Sequence, residues 1–160
     1  MPLSAYRISA IMVDVEGYAK ANDLPYMVCI AQLGGLNYFP NSSFEKKAQN
    51  NCEMSTFDNC LLLAVSLSHE LMEYKGGVLC HSVGCGIAVL VDTVDSPTII
   101  SVSSDTLSNA EELLKTALIA IKRRDTEVGC KDEKLQASIE DMKNIPELKH
   151  IAEEIESRVQ

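Results

Sequence analysis

The chain of 160 residues has no tryptophan, and aromatic residues make up only 5% of it. Its core must therefore be filled by Leu, Ile, Val, Met and Ala. Basic residues are also scarce, with 14 Lys and Arg against 23 Asp and Glu, for a net charge of −9. A polyanionic partner needs clustered cations that release counterions, so nucleic acid is not an expected partner. The one tight cluster, Lys122-Arg123-Arg124, falls where a helix should end and there complements the negative end of its dipole. Long apolar runs are missing as well. Runs such as Cys60–Val65 and Ile87–Val91 fall far below the roughly 20 residues that span a bilayer, so no membrane partner is expected. Asp14 and Glu16 stand where a basic region and an apolar run would announce secretion, and no signal is read there.

Apolar residues make up 46% of the chain, enough for one globular domain with a stable core. Six cysteines stand at 29, 52, 60, 80, 85 and 130. Cys29 and Cys60 lie inside apolar stretches, where a thiol behaves as a small hydrophobe. With no secretory signal, reduced cysteines and a cytoplasmic location are expected.

The pattern of the chain predicts a helix from Ser4 to Asn22, on a stripe of Tyr6, Ile8, Ile11, Met12, Val15, Tyr18 and Ala19, stopped by Asn22-Asp23-Leu24-Pro25. Tyr26–Leu33 and Leu36–Phe39 read as a hairpin turning at Gly34-Gly35. Residues 41–54 read as a loop or short helix. The strongest helix is expected from about Ser55 to Lys75, stopped by Gly76-Gly77. Val78–Val91 is strand-like and interrupted at Gly84 and Gly86, Asp92–Pro97 is a turn, and Thr98–Ser103 is another strand. Ser108 and Glu111 have the spacing of a capping box, ahead of an apolar face of Ala110, Leu113, Leu114, Ala117, Leu118 and Ile121. The order implies an α+β fold, an antiparallel sheet with helices packed against it.

Composition shifts near Asp125–Gly129, which divides the chain into a domain over 1–127 and an acidic helical tail over 128–160. Leu135, Ile139 and Met142 mark one amphipathic tail helix; Leu148, Ile151, Ile155 and Val159 mark another, with Pro146 at its first position. Such stripes either dock on the domain or take a protein partner.

Chemistry-bearing groups are few. Cys80, His81 and Cys85 put two thiols and an imidazole within six residues, soft ligands suited to zinc or haem iron. Their spacing matches no common zinc box. On a single strand, positions 80 and 85 point to opposite faces unless Gly84 introduces a bulge. His69 and Glu73 read as a surface pair, and His150 as solvated. Gly34-Gly35, Gly76-Gly77 and Gly84-x-Gly86 lack the phosphate-loop patterns. No catalytic residue is nominated.

Four stretches resemble the GlcG/HbpS-like family: Leu3–Leu24 with the Leu24-Pro25 step that follows it, Val28–Gly35, Ser55–Ala64 and Ile100–Leu118. The chain departs from that pattern at Gln32, Leu63, Ser101, Ser104 and Asp105. The resemblance implies a profilin-like fold, small-molecule binding with haem as a candidate ligand, and homo-oligomers. Cys80, His81 and Cys85 are then the candidate cofactor-binding residues. The alternative is a non-enzymatic interaction, scaffold or chaperone-like module of roadblock/profilin-like fold, with the C-terminal helices as a surface for a protein partner.

Overall fold

The computed structural model describes residues 5–32, 35–50, 76–81, 84–93 and 97–158; for 35–36, 47–50 and 79–81 it describes the backbone alone. The described elements are α1 (Ala5–Asn22), β1 (Met27–Gln32), β2 (Gly35–Pro40), α2 (Ser42–Asn50), β3 (Gly76–His81), β4 (Gly84–Val91) and β5 (Thr98–Ser104), followed by α3 (Leu107–Glu127), α4 (Glu133–Met142) and α5 (Lys149–Arg158). The five strands form one antiparallel sheet in the order β2-β1-β5-β4-β3. The α+β expectation, an antiparallel sheet with helices and a helical C-terminal extension, matches this architecture.

Strand alternation divides the sheet into two faces. Val28 and Ile30 of β1, Ile100 and Val102 of β5, and Ile87, Val89 and Val91 of β4 join α1 and α3 in a single core. Ile11, Val15 and Ala19 supply the α1 side of it, while Leu113, Leu114, Leu118 and Ile121 supply the α3 side. The tail belongs to the same core. Leu135, Ile139, Met142, Leu148, Ile151 and Ile155 are buried in it, and Leu148 and Ile145 approach Gly76 on β3. The tail helices thus continue the helical layer that α1 and α3 begin. The opposite face carries Ala88 and Ile99, with Cys29, Ser101 and Ser103 buried on the same alternation.

Several expected boundaries move. The β1–β2 register pairs Gln32 with Gly35, so Gly35 belongs to β2 and not to the expected turn. Gly76-Gly77 opens β3, pairing with Val89 and Ala88, while the helix it was expected to stop lies outside the described residues. A Cβ on Gly76 would sit 2.4 Å from Leu148 Cδ1, so this glycine serves close packing against the tail. Helix α3 starts two residues earlier than the capping-box spacing indicates: Thr106 is the N-cap, its hydroxyl accepting from Asn109 N at 3.2 Å. Pro146 lies in the turn between α4 and α5, outside the helix it was expected to open. The helix expected over 55–75, with His69 and Glu73, lies outside the described residues.

Local chemistry accounts for the remaining ends. Helix α1 stops at Asp23, whose φ of 54° is left-handed, with Leu24 N donating back to Ala19 O at 2.9 Å. Asn41 organises the entry to α2. Its Oδ1 accepts from Phe44 N at 2.9 Å and Tyr26 N at 3.0 Å, and its Nδ2 donates to Leu24 O at 2.9 Å. The segment left open as loop or short helix therefore begins as a capped helix. None of the described helices is long and apolar enough to cross a membrane.

Candidate functional site

The nominated residues lie on the β3–β4 hairpin at one edge of the sheet. Cys80 and Cys85 stand on adjacent strands, directly opposite one another in register, and His81 pairs with Gly84. The single-strand reading, which put 80 and 85 on opposite faces, is corrected: they stand on two antiparallel strands and pair directly in register, so the two positions share a face. The expectation of reduced cysteines is also corrected at Cys85, which is disulfide-bonded. Cys29, which is buried, and Cys130 stand outside any disulfide. A disulfide sulfur offers no thiolate to iron or zinc, so Cys85 in this state does not fit a haem or metal site. The side chains of Cys80 and His81 are outside those described. Among the described residues no group of three or more His, Cys, Asp or Glu is disposed to hold a metal ion.

The backbone of this hairpin has its own chemistry. Among the described strands β3 pairs on one side only, with β4. Its six residues, Gly-Gly-Val-Leu-Cys-His, include no Lys, Arg, Asp, Glu or Pro. Edge strands commonly carry such residues because a row of unpaired N–H and C=O groups templates another strand. The other edge, β2, ends in Pro40 and leads into capped α2. Among the described strands, β3 is the edge without a charge or proline of its own.

Sequence reasoning missed the largest buried polar side chain among the described residues. Arg7 of α1 is fully buried. Its Nε donates to Asp125 Oδ1 at 3.0 Å and its Nη2 to Asp125 Oδ2 at 2.7 Å, while Nη2 also reaches Asp132 Oδ2 at 2.8 Å and Cys130 Sγ at 3.9 Å. Asp132 is at the same time the N-cap of α4, accepting from Leu135 N at 3.0 Å. Burial works against the guanidinium charge, but hydrogen bonds and charges from the two carboxylates outweigh it and raise the Arg7 pKa. The signal was present in the sequence: Arg7 lies four residues before Ile11 and eight before Val15, in phase with the buried stripe of α1.

A cavity of about 320 Å³ borders this node, lined by Lys122, Asp125, Cys130, Asp132 and Gln136 among others. Four of its polar lining groups have partners, Asp125 and Asp132 with Arg7, and Lys122 with Gln136. Further ties join tail to body. Lys115, almost wholly buried, bonds Glu112 at 2.8 Å and also Glu154 of α5. Burial opposes the Lys115 charge, yet its two carboxylate partners raise its pKa, and Lys115 in turn lowers that of Glu154. Asp92 N donates to Ser138 Oγ at 2.8 Å. His150, read as solvated, is exposed but lies 3.1 Å from Glu111 Oε2. Arg124 of the basic cluster sits over the Tyr6 ring at 5.9 Å and bonds Glu127. Lys122 and Arg124 of the cluster, and the tail's apolar residues from Leu135 to Ile155, are thereby used within the molecule.

No family model, curated protein or solved structure matches the chain.

Proposed function

We propose that this chain is a non-enzymatic interaction module that associates with a second copy of itself through β3. The observation carrying this reading is the uncharged, proline-free edge of six residues. Two copies related by a two-fold axis would pair β3 with β3 antiparallel and extend the sheet, a self-complementary contact that sets no like charges opposite one another. The tail is the weaker candidate for a partner surface, because its apolar residues are buried in the chain's own core. Each copy carries a net charge of −9, so the bodies repel at long range and association tightens as salt screens them.

Light scattering tests this. The wild-type chain is expected to weigh as a dimer and to associate more tightly at higher ionic strength. Gly77→Lys places a charge on the edge at a position whose added Cβ meets no described atom. It is expected to give a folded monomer whose thermal transition stays cooperative and no longer depends on protein concentration. A wild-type monomer at its highest soluble concentration would overturn the reading.

A second reading, small-molecule binding of the GlcG/HbpS type with haem as candidate ligand, has one observation in its favour. The hydroxyls of Ser101 and Ser103 are buried without a hydrogen-bond partner among the described residues. Hemin whose Soret band does not shift on addition of the protein would remove haem from this reading. The cytoplasmic location belongs with both readings as a proposal, resting on the thiols of Cys29 and Cys130.

A further inference from the structure

We infer that the sulfur bonded to Cys85 is that of Cys80, and that this cross-strand bond is a redox latch controlling the β3 edge. The latch rests on the association reading above; the identity of the bond does not. Cys85 is disulfide-bonded, while Cys29 and Cys130 are not, which leaves Cys52, Cys60 and Cys80 as partners. Of these, Cys80 is directly opposite Cys85 in the β3–β4 register. Antiparallel residues in that relation have Cα atoms about 4.5–5.5 Å apart. A disulfide needs roughly 4.4–6.8 Å, so the bond forms without moving the backbone.

The position of the bond suits control better than stabilisation. The ring it closes runs only from 80 to 85, across a hairpin already closed by its ladder, and short loops restrict the unfolded chain least. Opening it therefore leaves the core standing. What it does hold is the end of β3, whose only described neighbour is β4. With the bond closed, the outward N–H and C=O groups of that end are kept in line for a second strand. With it open, the end frays from β4 and fewer molecules present a complete edge.

The chemistry is thiol–disulfide exchange with a dithiol reductant. One reductant thiolate attacks a protein sulfur, breaking the Cys80–Cys85 bond and forming a mixed disulfide. The second reductant thiol displaces it, so two electrons pass to the protein. Two protons end on the Cys80 and Cys85 sulfurs, and the reductant leaves as its own cyclic disulfide.

Peptide mapping and mass measurement on the full chain test the two claims separately. Cleavage after Lys47, Lys75 and Lys115 places Cys80 and Cys85 on one peptide, and Cys52 and Cys60 on the preceding one. Without reductant, residues 76–115 are expected as a single peptide lighter by two hydrogens than its reduced form. A cross-link to the preceding peptide, or no disulfide at all, would overturn the assignment. Dithiothreitol is then expected to raise the dimer dissociation constant about tenfold, as when about a third of the molecules keep a competent edge and both partners need one. The Cys80→Ser/Cys85→Ser double variant is expected to associate as weakly as the reduced wild type and to ignore dithiothreitol. A mapped bond with equal association in both redox states would sink the latch and leave the interaction module intact. A mapped bond in a chain that never dimerises would sink the module, and the latch with it.

Discussion

Removing the Arg7 guanidinium would leave Asp125 and Asp132 buried without their cation. Breaking a buried ion pair from one side costs about 3–5 kcal/mol, because the abandoned charge cannot regain water. Arg7→Met is therefore expected to lower unfolding free energy by that order in a urea titration. Adding Asp125→Leu is expected to restore part of the loss, since an apolar pair of similar volume avoids the desolvation penalty. A loss under about 1 kcal/mol for Arg7→Met would mean that water reaches the node. The Lys115–Glu154 contact makes a pH prediction. Glu154 has its pKa depressed by Lys115 from an ordinary 4.5, so its contribution is present above that value and fades as pH falls through the folded pKa. The thermal midpoint of the wild type should fall more steeply below about pH 4.5 than that of Glu154→Gln; superimposable profiles would refute the linkage. At this scale the sequence was half legible. Arg7 was in phase with the α1 stripe, but its partners lie 118 and 125 positions further along the chain, beyond any local pattern.

Elements with long periodic stripes were legible, and those separated by short turns were less so. Helices α1 and α3 declare themselves because one face is buried over many turns. The 76–91 segment did not, since two antiparallel strands separated by only two residues look like one strand interrupted by glycine. Gly84 shows what the fold asks of it. A Cβ there would lie 2.2 Å from Ser104 O, a backbone atom on the neighbouring strand that cannot swing aside. Gly84→Ala is expected to cost about 1–3 kcal/mol by forcing β4 from β5. Gly77→Ala, facing none of the described atoms, should change stability by less than about 0.5 kcal/mol. Thermal melts of the two variants compare them directly, and equal midpoints would contradict the packing at Gly84.

At the scale of the whole molecule, the tail decides whether the helical layer is complete. Leu135, Ile139, Leu148, Ile151 and Ile155 are each buried to 2% exposure or less. Burying such side chains contributes about 1.5–3 kcal/mol apiece. Five of them rival the net stability of a whole domain, about 5–15 kcal/mol. Deleting residues 130–160 is accordingly expected to give a chain that aggregates or melts without a cooperative transition, by circular dichroism and light scattering. A soluble, cooperatively folding 1–129 fragment would mean the tail only decorates the domain. The composition shift near 125–129 therefore marks a change of surface charge and helix length, while the buried apolar residues on both sides of it form a single core.

By itself the sequence determined the α+β class, the helical faces and the strand-forming segments, because side-chain periodicity reports which face of an element meets the core. Only the tertiary structure decided that the tail completes that core, that Arg7 is buried between two carboxylates, and that Cys80 and Cys85 oppose each other. Those are relations between residues on different elements, and they come from how the elements pack, which local pattern along the chain does not encode.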